Sequence, residues 1–201
     1  MSRPRTFDDE KVLDAAIGCF WHRGLESTSL RDLTEAMSIN APSLYNAFGD
    51  KRQLFILALE RYANTSMRAR LALMREAPAP KQVLKSFLLN LVERSCADPD
   101  RRGCLIINTA LEVAPHDPEI ASIVRGYLDE LLNFIRGRIV AAQAAGECDR
   151  ALDVEAVSAM LLGQVAAVRL LSRTGADKKQ LELMLQPAFA ILDAGVSPTK
   201  H

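Results

Sequence analysis

Ser29, Arg31, Asn40, Pro42, Ser43, Tyr45, Asn46 and Lys51 fall within one short stretch of this chain. An asparagine amide can exchange two hydrogen bonds with an adenine edge, and small apolar groups such as Ala41 and Pro42 can touch a thymine methyl. Hydroxyls, guanidinium groups and ammonium groups hold phosphates. The chemistry this stretch offers is recognition of nucleic acid. Residues suited to making or breaking bonds are not gathered anywhere. His22, His116 and His201 are scattered, and there is no glycine-rich phosphate loop. Cys19, Cys96, Cys104 and Cys148 lack a Cys-x-x-Cys spacing. Neither an enzyme, nor a metal site, nor a cofactor is expected.

Those side chains need rigid supports, and the supports read as helices. Val12, Ala16 and Phe20 recur on one face of a first helix from about Asp8 to Arg23, with Gly24 as its stop. Ser29-Leu30-Arg31-Asp32 has the form of a capping box. Leu30, Leu33 and Met37 give a short apolar stripe, Ser38-Ile39-Asn40 a turn, and Pro42 the opening of a third helix that carries Leu44, Tyr45 and Phe48. Two short helices around a tight turn, with a helix before and after, have the sequence form of a helix-turn-helix. Asp50 caps a long fourth helix, Lys51 to Glu76, whose free N–H groups and partial positive charge sit beside Lys51.

Charge supports this reading only by its placement. The 201 residues carry 25 basic and 25 acidic side chains, and residues 1–52 hold seven basic against eight acidic. Arg31, Lys51 and an N-terminal pair, Arg3 and Arg5, are nevertheless placed for phosphates, while Asp32 and Asp50 serve as helix caps. No apolar run reaches the roughly 18 residues of a membrane span. The opening Met1-Ser2-Arg3-Pro4-Arg5 lacks the apolar core of a signal peptide, so a cytoplasmic protein is expected.

Thr28 to Thr34, then Pro42-Ser43-Leu44-Tyr45-Asn46-Ala47-Phe48-Gly49-Asp50-Lys51, resembles the TetR/AcrR signature, and Phe20 to Gly24 and Leu54-Phe55 fit the same pattern. Ala47 departs from it where many members carry histidine. The resemblance implies an all-α protein of about nine helices. A three-helix helix-turn-helix domain (residues 1–50) would join a helical effector and dimerisation domain (residues 51–201) through the fourth helix. It further implies a transcriptional regulator, commonly a repressor, that binds a palindromic double-stranded DNA operator as a homodimer and is released by a small-molecule effector. In it the Tyr45 hydroxyl would meet a backbone phosphate.

The second domain is expected to hold the effector among Phe87, Leu91, Cys104, Ile107, Asn108, Leu111, Phe134 and Gln164. Asn108 and Gln164 are the sharper choices, because an amide among apolar neighbours needs a partner. The last two helices carry broad apolar stripes, from Val157 to Leu171 and from Leu181 to Leu192. By themselves these stripes read as ordinary core; the resemblance implies the dimer seam there, through Val165 and Leu185, with Ala159, Gly163, Ala166 and Ala167 allowing close approach. Two other readings remain open. One is a thiol-based redox or electrophile sensor: Arg101-Arg102-Gly103-Cys104 sets a thiol at a helix start after two cations, with Cys96 as a resolving thiol. The other is a helical protein-interaction module that binds no DNA.

Overall fold

The computed structural model describes residues 9–194, and no strand occurs among them. The helices are α1 (Asp9–Ser27), α2 (Leu30–Met37), α3 (Ala41–Phe48), α4 (Lys51–Tyr62), α5 (Ala69–Arg75), α6 (Pro80–Cys96), α7 (Leu105–Glu112), α8 (Pro118–Ala144), α9 (Val154–Arg173) and α10 (Lys178–Asp193). A wider helical stretch, Ala63–Arg68, joins α4 to α5, and the N–H of Ala69 reaches back five residues to the carbonyl of Asn64. With that stretch counted as part of one long helix, the described residues form nine helices, the expected all-α architecture. Arg3 and Arg5 lie outside the described residues.

Most helix starts follow from their caps. Ser29, Asn40, Asp50, Asp153 and Asp177 each accept a hydrogen bond from the first turn they precede. The end of α1 departs from expectation. Helical hydrogen bonding continues to Ser27, but the backbone breaks at Gly24 (φ 78°, ψ 176°). The positive φ is what favours glycine at that turn, and the Glu112 side chain would have to move to admit a β-carbon there.

The described residues pack as two units. The first comprises the chain up to Ala69 together with Cys104–Val124. Its core is built on α1 and α4. Phe20 meets Phe55 edge-on with ring centroids 5.0 Å apart, and Trp21 meets Tyr62 in the same way. Leu33, Leu44 and Leu54 are fully buried beside them. Arg61 forks onto Asp14 at 2.6 and 2.8 Å, which holds the Asp14 carboxyl below its ordinary pKa. The helix-turn-helix boundary expected at residue 50 falls inside this unit.

The second unit comprises Arg70–Gly103 and the described chain from Arg125 onward. Leu84, Leu88 and Val92 of α6, Ile135 and Ile139 of α8, Leu161 and Val168 of α9, and Leu181 and Leu185 of α10 are buried. Lys85 pairs with Asp193 and Lys178 with Glu93 across its surface. The Arg138 guanidinium donates to the carbonyls of Met74 and Ala77, at 3.2 and 3.0 Å, and closes the end of α5.

One expectation about the last helices needs correction. Val165 and Leu185 face the interior of their own bundle, 6 % and 0 % exposed, so they are not seam residues. The outward side of α9 carries Ala156, Ala159, Gly163 and the 45 % exposed Leu170, and that of α10 carries Pro187 and the 67 % exposed Leu183. The helix Val154–Arg173 is also long and apolar enough to cross a membrane by length and composition, although no unbroken apolar run is. Its polar positions, Glu155, Ser158, Gln164 and Arg169, interrupt the run without changing its average character.

Candidate nucleic-acid interface

The interface is built from α2, the turn after it, and α3. The Ser29 hydroxyl oxygen accepts from the Asp32 N–H at 3.1 Å, and the Asp32 carboxylate accepts the Ser29 N–H at 2.9 Å. Asp32 also accepts the Ser29 hydroxyl at 2.6 Å and pairs with Arg23. The Ser29 hydroxyl, the Ser29 N–H and then Arg23 pull the Asp32 carboxyl down to a pKa of about 2. Ser38 takes a left-handed conformation (φ 53°), and the Ile39 N–H returns to the Thr34 carbonyl at 3.2 Å. That one left-handed residue makes the tight turn, leaving Asn40 extended and able to cap α3.

On α3, Leu44 and Phe48 point inward and fix the helix to the core. Ala41, Pro42, Tyr45 and Asn46 point outward, with Tyr45 48 % exposed, and Ser43 is half-buried. The outer face at the start of α3 is therefore small and weakly polar, and a ring with a hydroxyl follows one turn later. Asn40 serves the helix as well as the face. Its amide oxygen accepts the Ser43 N–H at 2.9 Å, which leaves its NH₂ as the group that can face a base.

The flanking cations are less uniform than the sequence implied. Arg31 is exposed and paired with Glu35 one turn on, at 2.7 Å. Lys51 lies half-buried, and its ammonium donates to the carbonyl of Thr28 at 3.1 Å and that of Glu26 at 3.4 Å. It thus ties the start of α4 to the connection between α1 and α2. Arg52, for which the sequence suggests nothing beyond a solvated helix start, is held more firmly. It forks onto Asp117, at 2.7 and 3.0 Å, and reaches Glu119 at 2.6 Å. The only signal available in the sequence was the acid-Pro-acid step at 117–119, and nothing in that step names its partner.

The residues expected to line an effector site divide between the units. Phe87, Leu91, Phe134 and Gln164 belong to the second, where the Phe87 and Phe134 rings meet at 5.8 Å and the Gln164 amide oxygen is buried without a hydrogen-bond partner. Cys104, Ile107, Asn108 and Leu111 belong to the first. There Cys104 forms the N-cap of α7 and receives the Tyr62 hydroxyl at 3.7 Å, while Leu111 is exposed. The two arginines before Cys104 lie in the other unit, and Arg102 is turned onto Asp98. Burial pushes the thiols of Cys19 and Cys148 up, and desolvation followed by Glu93 does the same for Cys96.

Residues 12–58 match the family model for bacterial regulatory proteins of the tetR family, and residues 80–187 match that for the tetracyclin repressor-like C-terminal domain. The chain belongs to the TetR family. As a TetR-family member it is a DNA-binding transcriptional regulator. Over 96 % of its length it is 29 % identical to all of the uncharacterized HTH-type transcriptional regulator YezE of Bacillus subtilis. Over 89 % of the chain, and 86 % of the relative, it is 28 % identical to the HTH-type transcriptional repressor ComR of Escherichia coli. Among solved structures, a cysteine-substituted form of the TetR family transcriptional regulator CifR, complexed with a 26-base-pair double-strand operator DNA, is similar to this TetR-family chain. It superposes with a TM-score of 0.83 at 30 % identity, over 93 % of this chain and 98 % of that one.

Proposed function

We propose that this protein is a repressor. Two copies bind a palindromic operator, and a small-molecule effector releases them. The observation that carries the DNA part is the outward face of α3: Ala41, Pro42, Tyr45 and Asn46 clear of bulk, flanked by Arg31 and Lys51. A recognition helix needs that lack of bulk at its start to approach base edges, and phosphate donors around it to fix its register. The names of ComR and of a second Escherichia coli relative, BdcR, support repression.

The homodimer rests on α9. Its outward side carries Ala156, Ala159, Gly163 and the exposed Leu170, a small apolar surface that nothing in the protomer covers. A second copy laid against Ala159, Gly163, Leu170 and Leu183 would cover it, and a dimer supplies the two recognition helices that a palindromic operator calls for. For the effector, Gln164 offers a buried acceptor with no hydrogen-bond partner, and the paired rings of Phe87 and Phe134 offer apolar surface in the same unit. A cytoplasmic protein without catalytic activity fits this role. A second reading takes Cys104 as a reactive thiol, favoured by its place at the N-cap of α7. Labelling of the native protein that selects Cys104, with DNA release that Cys104→Ser abolishes, decides for it.

The test of the main reading uses the duplex upstream of the protein's own gene. Binding is expected to fall steeply with salt, and Lys51→Ala is expected to lower the slope of log K against log [salt] by about 1. Tyr45→Phe is expected to weaken binding evenly across sequence variants of the site, and Asn46→Ala to change which variants are preferred. Unaltered binding in both Tyr45→Phe and Lys51→Ala removes the assigned interface.

A further inference from the structure

The chain passes between its two units three times. One crossing is the connection between α6 and α7, and the other two are helices: α4 continues through Ala63–Arg68 into α5, and α8 runs from Pro118 to Ala144. Both of these helical segments begin in the first unit, and their first turns are joined there by one side chain. Arg52, in the opening turn of α4, sends Nε to Oδ2 of Asp117 at 2.7 Å and Nη2 to Oδ1 at 3.0 Å, and Nη2 also reaches Oε2 of Glu119 at 2.6 Å. Asp117 is the residue that caps α8, accepting the N–H groups of Glu119 and Ile120 at 3.1 and 3.0 Å. A forked guanidinium on a carboxylate that also caps a helix fixes direction as well as distance.

We propose that Arg52 is a positioning residue for operator binding: it locks the start of α4, and the recognition helix α3 attached to it through Gly49-Asp50, to the start of α8. Lys51 and Arg52 then divide the work. Lys51 holds α4 to the carbonyls of Glu26 and Thr28, and Arg52 holds it to α8. With both held, the first turn of α4 cannot shift without moving the recognition helix. A displacement of the start of α8 therefore bears on the first turn of α4 through this ion-paired knot. The Asp117 carboxyl is ionised throughout the physiological range, because Arg52 and then the Ile120 N–H draw its pKa down to about 2. Within that range the knot is opened by displacement and not by protonation. This inference rests on the reading of the chain as an operator-binding regulator.

The experiment compares full-length Arg52→Gln, Arg52→Lys and Asp117→Asn with the unaltered protein. Each is checked for folding by thermal unfolding, then titrated against the duplex upstream of its own gene at several salt concentrations. A positioning role predicts that Arg52→Gln and Asp117→Asn each lose about tenfold in affinity with the salt slope unchanged, and that the double variant loses no more than either single. Arg52→Lys keeps the charge without the fork and falls between. The sign for Asp117→Asn is decisive. If Arg52 served only as a phosphate contact, removing its carboxylate partner would tighten binding, and Arg52→Gln would lower the salt slope by about 1; either result overturns the proposal. Hydrogen exchange of the free protein supplies a readout that needs no DNA. Faster exchange at Leu54, Phe55 and Ile120 in both Arg52→Gln and Asp117→Asn supports the lock, and unchanged exchange there overturns it even if the upstream duplex proves not to be the operator. If the unaltered protein fails to bind that duplex while the exchange result holds, the operator reading falls and the lock stands.

Discussion

The outward face of α3 and the outward face of α9 are built from similar parts, yet the two are fitted to different occupants. Both are rich in small residues: Ala41, Pro42 and Ser43 on one, Ala156, Ala159 and Gly163 on the other. Around α3 the small residues are edged by groups that can hydrogen-bond or carry charge, namely Asn40, Tyr45, Asn46, Arg31 and Lys51. Along α9 they are edged by Leu170, with Leu183 and Pro187 on α10. A small side chain only permits close approach. What stands at its border determines whether the approaching surface is wet and anionic or dry and apolar.

The largest expected effect tests the scaffold that both faces depend on. Phe55→Ala removes one ring of the Phe20–Phe55 pair from a site with 1 % exposure, and is expected to cost about 3–5 kcal/mol by denaturant unfolding. A loss below about 1 kcal/mol would mean that the α1–α4 contact is not the centre of that unit.

Next in size is the contrast between two exposed leucines. Leu183, on the bare side of α10, and Leu73, on α5, are 67 % and 81 % exposed. If the bare side of α9 and α10 receives a second copy, Leu183→Glu is expected to shift sedimentation at micromolar concentration from dimer to monomer, because it buries an unpaired charge. Leu73→Glu is expected to leave the dimer intact. Equal behaviour of the two variants would break the comparison.

Acid titration sharpens the α2 side. Asp32 and Asp117 both have carboxyl pKa values drawn down to about 2 from an ordinary 3.8. A depressed folded-state value means that the stabilisation is fully present above the unfolded pKa and is lost as pH falls through the folded one. The denaturation midpoint is therefore expected to be insensitive to these groups at neutral pH and to fall between about pH 4 and pH 2. Asp32→Asn is expected to make that fall shallower. The smallest effect is expected from Ser29→Ala, about 1 kcal/mol for one lost cap, read from the same unfolding curves at neutral pH.

Much of the architecture was legible in the residues because helix ends are local. Ser29 with Asp32, Asp50 with Gln53, Asp153, Asp177 with Gln180 and the Asp117-Pro118 step each announce a start within four residues of chain, and each is where the helix begins. What was not legible depends on distance or on which side of a stripe is inward. The Arg52–Asp117 pair spans 65 residues and breaks no local pattern. Helix α9 is apolar on several sides, so periodicity alone could not say that Val165 faces inward while Gly163 and Leu170 face outward. The Glu112 carboxylate, far along the chain, lies against the kink at Gly24, a contact that no local pattern announces.

The wide stretch at Ala63–Arg68 has a consequence for length variation in this helix. An α-turn holds 3.6 residues, so removing one residue from an ordinary helix rotates everything beyond it by about 100° and turns its inward side outward. A turn bonded five residues back already holds one residue too many. On its near side the inward residues are Leu59, Tyr62 and Ala63, and on its far side the buried residue is Leu71, with Leu73 turned out. Excising Ser66 would let the segment close to plain α-helix with Leu71 still on the inward side. The same excision at Leu57 or Ala72 would put the stripe out of phase. Among chains that share this fold, a one-residue gap in the long helix is expected to fall within 63–68.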